Sequence, residues 1–245
     1  MNSIKFNIIV IFILFSIINS TPAKEKVDNY SVYAKLPLLG EVEVQKIETE
    51  LSIVDSTFEY SYYVAPTKIV DFFDKKITSG YILGSLQNNS LNTDQYFLKT
   101  EEDDFIRIIE FIYINNVIHD VSVNPTYDTS KITNVSEIMI TESVDPVTMF
   151  FKITNFEFIN GCNKTIKVYD GKRRYDLKLS NPKISDESYI CTLTHQKIAG
   201  YKPEKIKENK IYVSDLKFLV DENRSYKFSE VSLRNNNTDL IIKKN

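Results

Sequence analysis

Apolar and polar residues alternate along most of the chain. Tyr30, Val32 and Ala34 begin this pattern, and aromatic and β-branched residues continue it. Alternation of this kind is typical of strands with one buried face. It recurs in short segments joined by polar residues, at 57–64, 105–113, 116–123, 165–169, 175–179, 189–195, 212–219, 226–233 and 240–242. About ten such strands predict a mainly β protein, built as a single antiparallel curved sheet or an open β-barrel.

Two segments depart from the alternation and predict one or two short helices. Residues 68–76 read KIVDFFDKK, for which helix and strand are both tenable, and a short helix is the preferred interpretation. At Asp145-Pro146, aspartate occupies an N-cap position and proline the first helical position, so a helix is expected to follow.

Glycine marks two turns in the second half of the chain. Asp170-Gly171 lies between two strand-like runs and predicts a hairpin with a type I′ turn, in which both central residues have positive φ. Gly200 follows Ile198-Ala199 and predicts a tight turn at the end of another strand.

Residues 1–23 have the order of a secretory signal peptide. Lys5 precedes an apolar run from Ile8 to Ile18, and the small residues Ser20 and Ala23 follow as candidate cleavage positions. The run is about half of the roughly 20 residues that a bilayer span needs, although an uncleaved N-terminal anchor is the alternative. Cleavage leaves residues 24–245 as a single β-domain, and no further apolar run is long enough to span a membrane.

Export changes the interpretation of the two cysteines. In an oxidising compartment, Cys162 and Cys191 are expected to form a disulfide, which contributes roughly 3 to 4 kcal/mol in the chain-entropy model. The alternative is a nucleophilic thiol with a histidine partner. His195 follows Cys191 by four residues, and on a strand this spacing places the two side chains about 13 Å apart, which is too far for a dyad.

Composition and charge exclude several classes of function. The net charge of -3 provides no positive field for a phosphate backbone, so we expect no nucleic-acid partner. The six glycines form no phosphate-binding loop, and two histidines with two cysteines do not make a usual zinc site. No cofactor and no metal are therefore predicted.

The remaining candidates for catalysis and metal binding are sparse. His119 and His195 have no nucleophile or metal partner at an informative spacing, so both are interpreted as structural residues, and no enzyme is predicted. A hydrolase would require one of them to face a cleft with an acid or a nucleophile. The acidic run 101–104 lacks the ligand order of a calcium loop and is interpreted as a solvated turn.

The predicted hairpin carries the best candidates for ligand binding. Arg173 and Arg174, with the adjoining Tyr175, are placed to clasp an anionic head group. The simpler interpretation is cross-strand ion pairing with Asp170 and Asp176.

Taken together, the rare residues of the second half resemble one family. The residues that carry the resemblance are Asp145-Pro146, the run from Gly161-Cys162 through Asp170-Gly171-Lys172-Arg173-Arg174-Tyr175 to Leu177, Cys191, and Gly200-Tyr201. Their order and spacing resemble the DUF3108 family of exported bacterial proteins over residues 29–234, most closely over 144–202. The sequence departs from the family at Leu36–Gly40, where a glycine-rich hairpin is expected and one glycine is present.

The resemblance implies an uncharacterised protein of a Gram-negative periplasm, with a fold similar to the open curved sheet of the lipoprotein carriers LolA and LolB. We therefore expect a non-catalytic protein that binds a lipid, another apolar ligand or an envelope component in a barrel-like cavity. The 15 Tyr and 15 Phe residues either line such a cavity or fill a core. The alternative function is a cell-envelope structural or assembly factor that acts through protein contacts, with partners unknown.

The signal-peptide interpretation makes a direct prediction. The protein recovered from the periplasm should have the intact mass of a chain that begins after Ser20 or Ala23, because signal peptidase cleaves behind small residues. Mass spectrometry of the periplasmic fraction tests this. A full-length mass in the membrane fraction would instead indicate an anchor.

Overall fold

A computed structural model of the protein describes residues 24–36, 38–71, 75–87, 90–155, 161–208, 212–222, 225–233 and 239–245. The predicted signal peptide, residues 1–23, lies outside this part of the chain.

Thirteen strands in the described residues make the protein mainly β. They are β1 Lys24–Leu36, β2 Gly40–Val54, β3 Thr57–Pro66, β4 Ile77–Gln87, β5 Ser90–Glu102, β6 Phe105–Ile114, β7 Val117–Asn124, β8 Lys164–Tyr169, β9 Arg174–Ile184, β10 Ser188–Ala199, β11 Tyr212–Val220, β12 Tyr226–Leu233 and β13 Asp239–Lys244. Every pairing between these strands is antiparallel.

All thirteen strands belong to one sheet, in the order β7-β6-β5-β4-β3-β2-β1-β13-β12-β11-β10-β9-β8. Two meanders, β1 to β7 and β8 to β13, are joined where β1 pairs with β13. The edge strands are therefore β7 and β8. In the described residues these two strands do not pair with each other, so the sheet is not closed. The predicted fold class, a single antiparallel curved sheet or open barrel, is confirmed.

Four short helices are described where one or two were predicted: α1 Lys68–Asp71, α2 Glu137–Thr141, α3 Pro146–Thr154 and α4 Pro203–Lys207. The helices α1 and α3 coincide with the two predicted segments, although residues 72–74 of the first segment lie outside the described residues. The helices α2 and α4 were missed because a five-residue helix is too short to show a helical period.

A buried hydrogen-bond network fixes the start of α3. The fully buried Asp145 carboxylate accepts hydrogen bonds from the Thr148 backbone N–H (2.7 Å), the Thr148 hydroxyl (2.6 Å) and the Tyr113 hydroxyl (2.7 Å). The Tyr113 oxygen in turn accepts the Asp145 backbone N–H at 3.0 Å. Burial raises the pKa of the Asp145 carboxyl, and the bonds from Thr148 and Tyr113 oppose that shift. The predicted N-cap is therefore present, and it also links α3 to strand β6.

The helix α3 packs on the concave face of the sheet. The Phe151 ring contacts those of Tyr60 and Phe58, with centroid separations of 4.8 and 6.3 Å. The Phe150 ring makes edge-on contacts with Tyr30 (5.4 Å) and Tyr62 (5.8 Å). Six aromatic rings thus pack together where α3 meets the sheet, within the hydrophobic core.

The hairpin between β8 and β9 is present, but the predicted turn type is wrong. Tyr169 pairs with Arg174, so four residues rather than two connect the strands. Of these four, Gly171 has the positive φ of +88°, and Asp170 does not. The Asp170 carboxylate instead accepts the backbone N–H groups of Lys172 and Arg173, at 2.9 and 2.6 Å. This Asx-type bonding makes a wider turn than the Asp-Gly pair alone indicates.

Cys162 and Cys191 form the expected disulfide, with their Cα atoms 5.8 Å apart. It ties the residues before β8 to strand β10, on which Cys191 is fully buried. Within the described residues, no helix combines the length and the apolar character that a membrane crossing requires.

The packing of α3 predicts the cost of removing one ring. Phe151→Ala should lower the free energy of unfolding by about 3 to 5 kcal/mol, because the 1%-exposed ring would leave a cavity among Phe58 and Tyr60. Ile138→Ala, at a residue that is 69% exposed, should change it by less than about 0.5 kcal/mol. Denaturant unfolding of both variants measures the difference, and equal costs would contradict this packing.

Candidate functional site

The candidate site lies at the end of the sheet opposite to α3. The helix contacts the start of β3 through Phe58, the start of β5 through Thr93 and the end of β6 through Tyr113. The opposite end therefore holds the end of β5, the start of β6 and the β8–β9 turn, because antiparallel strands alternate in direction.

A groove of about 570 Å³ opens at this end. We call it the mouth groove, and its lining residues are Lys76, Thr78, Leu98, Thr100, Arg107, Ile109, Tyr127, Asp128, Asp170, Lys172 and Arg173. Its volume lies within the range of about 300 to 1,000 Å³ that is usual for small-molecule sites.

Strand register explains the chemistry of the groove wall. Thr78, Thr100 and Arg107 lie side by side across β4, β5 and β6 and form the outer row. One side-chain repeat inward, about 7 Å along the strands, Leu98 pairs with Ile109. A further repeat inward, the fully buried Tyr96 pairs with Phe111. The wall therefore changes from polar and charged to apolar with depth.

Four cations and two acids line the mouth groove. The Arg107 guanidinium carbon lies 3.9 Å from the Tyr127 ring centroid, and the Lys172 amine lies 4.7 Å from the same centroid. Arg107 also donates its Nε–H to the Pro125 carbonyl oxygen at 3.2 Å. An aromatic ring and a backbone carbonyl thus position these cations.

Other hydrogen bonds engage the two acids. Asp170 binds the backbone of its own turn, and burial raises the pKa of its carboxyl, while those N–H groups and the nearby cations oppose the shift. Asp128 accepts hydrogen bonds from the Ser130 hydroxyl and backbone N–H, which lower its pKa. Within the described part of the chain, Arg107, Lys172 and Arg173 make no salt bridge.

Gly200 packs directly against the β8–β9 turn. Its φ is +79°, and a Cβ atom there would lie 2.1 Å from the Lys172 carbonyl oxygen. The Gly200 N–H donates to the Thr133 carbonyl oxygen at 3.1 Å, and the Thr133 N–H donates to the Tyr201 carbonyl oxygen at 2.8 Å. The Arg173 guanidinium lies 5.6 Å from the Tyr201 ring centroid. The Asp-Gly turn and the Gly-Tyr pair, about thirty residues apart, therefore meet at the groove.

The three predicted ligand-binding residues have different positions. Arg173 is exposed and lines the groove. Arg174 is only 4% exposed and forms an ion pair with Asp176 at 2.6 Å. Both residues lie on β9, so this is a pair within one strand and not the cross-strand pair that the simpler interpretation expected. Tyr175 packs on His195 with a ring separation of 4.9 Å, and burial raises the pKa of its hydroxyl. The structure thus places one of the three in the groove.

Sequence reasoning missed Lys76, Arg107, Tyr127 and Lys172. Arg107 did leave a signal, because it is the one cation in the apolar strand β6 and shares its face with Ile109 and Phe111. Tyr127 lies in an irregular segment, and no strand pattern indicates its position.

The histidines do not form a catalytic arrangement in the described residues. His119 is exposed on β7, whereas His195 is partly buried, which lowers its pKa. No group of three or more His, Cys, Asp or Glu side chains suited to a metal occurs in the described ranges.

Fold and site together define an open-barrel antiparallel β protein with a basic, aromatic mouth. No protein-family model matches the chain, and no curated protein matches it. Among solved structures it is similar to a β-barrel-like protein of the domain of unknown function DUF1849 from Brucella abortus. That similarity has a TM-score of 0.39 and 8% sequence identity, and covers 89% of this chain and 96% of the other.

The contact at Gly200 predicts a large effect from a single methyl group. Gly200→Ala should lower the free energy of unfolding by at least about 2 kcal/mol more than Gly40→Ala. Both glycines have positive φ, but a Cβ at Gly40 meets nothing within 4 Å, so the difference isolates the collision with the β8–β9 turn. Denaturant unfolding measures both variants, and equal losses would contradict this role.

Proposed function

We propose that the protein is an exported, non-catalytic binding protein of the Gram-negative periplasm, and that the mouth groove binds an anionic group of its ligand. One observation carries this proposal: Arg107, Lys172 and Arg173 converge on a groove in which the described residues provide them with no salt bridge. Cations held close together repel each other, and a bound anion would relieve that repulsion.

The donors fit a carboxylate, sulfonate or phosphate. Arg107 donates its Nε–H to a backbone carbonyl, so the terminal amino groups of its guanidinium remain for a ligand. A guanidinium stacked on a ring is already oriented, so little rotamer freedom is lost on binding. The Lys172 amine, in the β8–β9 turn, lies near the same Tyr127 ring and adds a second donor.

The apolar part of the groove is small. Leu98 and Ile109 are its aliphatic lining residues, and the next residues inward, Tyr96 and Phe111, are fully buried. This favours a head group with a short apolar portion over a long chain. The lining of the mouth groove does not favour a lipid or another large apolar ligand. Binding of such a ligand deep inside the barrel stays a prediction.

Sequence features support the export component of the proposal. The signal-peptide pattern of residues 1–23, the disulfide and the DUF3108-like motifs agree with a periplasmic location. The second candidate function is an envelope assembly factor that acts through protein contacts. The partly uncovered edge of β8 favours it, because edge strands accept added strands.

Two matched fluorescent probes test the mouth groove. Anilinonaphthalene sulfonate is anionic, and phenylnaphthylamine has the same ring system without the sulfonate. We expect the anionic probe to bind the folded protein, and Lys172→Ala and Arg107→Gln each to weaken it about tenfold, the equivalent of about 1.4 kcal/mol. Binding of the neutral probe should change little.

Lys178→Ala is the matched control, since it removes one positive charge from an exposed position on β9 outside the groove. Equal loss of the anionic probe in Lys172→Ala and Lys178→Ala would show that only net charge matters and would refute the site. If the anionic probe is lost only in the groove variants, native mass spectrometry of the protein isolated from periplasm is the next step to identify a natural ligand.

A further inference from the structure

A second feature of the molecule is the outer edge of strand β8. This strand ends the sheet and pairs with β9 along its inner side. On its outer side, the Val144 N–H donates to the Lys167 carbonyl oxygen at 2.9 Å, and the Tyr169 N–H donates to the Val144 carbonyl oxygen at 3.0 Å. Val144 forms an isolated bridge and not a strand, because α2 ends shortly before it and α3 begins shortly after it.

The remaining outer edge of β8 carries backbone groups that face away from β9. The N–H and C=O of one strand residue point to the same side, and this side alternates along the strand. The backbone groups of Lys167 and Tyr169 that bond to Val144 point away from β9. By the alternation, the backbone N–H and C=O of Thr165 point the same way. Within the described ranges, the Thr165 N–H and C=O and the Lys167 N–H therefore have no neighbouring strand.

A groove of about 570 Å³ runs beside this edge. Its lining residues are Glu142, Val144, Lys152, Lys164, Thr165, Ile166, Lys167 and Leu179. Three lysines face one glutamate, and Glu142 is already paired with Lys167 at 2.6 Å. Burial on α3 lowers the pKa of the Lys152 amine, and a carboxylate nearby would oppose that shift. The groove is therefore complementary to negative charge.

We propose that an extended acidic segment of a partner protein adds to β8 as a further strand, with its carboxylates directed at Lys152 and Lys164. Backbone hydrogen bonds to Thr165 and Lys167 provide the attachment, and the lysines select the sign of the partner's charge. This surface is separate from the mouth groove, since the two share no lining residue.

A second copy of the chain is a poor occupant of this edge. Two β8 edges paired with each other would bring Lys164 and Lys167 of one copy close to the same lysines of the other. Like charges placed across a strand pair are destabilising, and lysines on edge strands commonly prevent such self-association. An acidic strand meets no such repulsion.

A short blocked peptide that alternates valine with glutamate tests the proposal, with the same peptide carrying lysine in place of glutamate as its control. We expect the acidic peptide to bind in fluorescence anisotropy and to slow hydrogen exchange at the Thr165 and Lys167 amides. Equal binding of the lysine peptide, or protection confined to other amides, would overturn the proposal.

Matched variants separate the backbone contribution from the side chain. Thr165→Pro removes an outward N–H at an edge position where proline is tolerated, and should weaken the acidic peptide at least about tenfold. Thr165→Ala keeps that N–H and should bind as the unchanged protein does. Equal affinities for the two variants would refute strand addition.

Charge reversal provides a test that does not depend on the folding of the proline variant. Lys164→Glu should abolish binding of the acidic peptide, whereas Lys183→Glu, at an exposed position of β9 beyond its pairing with β8, should leave most of it. Lys172→Ala, in the mouth groove, should not alter peptide binding. Dimerisation in sedimentation velocity that Thr165→Pro abolishes would identify a second copy as the occupant and overturn the proposal.

Discussion

The buried cap at Asp145 is the interaction on which the rest of the structure depends. A fully buried carboxylate is costly unless hydrogen bonds satisfy it, and Tyr113 and Thr148 provide them. Because Tyr113 belongs to β6, the cap fixes both the start of α3 and its position on the sheet. The rings of Phe150 and Phe151 then occupy the concave face at that end. The open part of the barrel is consequently at the other end.

At that open end, aromatic rings and backbone carbonyls hold the cations, and no acid in the described residues pairs with Arg107, Lys172 or Arg173. This distinction matters for function, since Arg174, which is buried and ion-paired with Asp176, presents little of its guanidinium to a ligand. Cation–π contact stabilises a cation without neutralising its charge. The mouth groove thus has more cations than acids in its lining, four against two, in a protein whose net charge is -3.

The β8–β9 hairpin connects both candidate surfaces. Its turn brings Lys172 and Arg173 to the mouth groove, and the outer edge of β8 faces the lysine-lined groove beside α3. Gly200 packs against the turn, and the disulfide ties the residues before β8 to β10. The rare residues of the second half of the sequence thus surround this hairpin. Their concentration there has a structural reason, because turn geometry, close backbone approach and cross-linking all meet at one place.

The sequence by itself determined the local features of this protein: the alternating strands, the cap at Asp145, the positive φ of Gly171 and the cysteine pair, because each depends on neighbouring residues or on the compartment. Tertiary structure decided which side chains share a site. Arg173 and Arg174 are adjacent and chemically identical, yet one lines the mouth groove and the other is buried with Asp176. Arg107 and Tyr127 join Lys172 only because sheet curvature brings β6 beside the β8–β9 turn. Such contacts depend on chain path and register over long separations, which no local pattern encodes.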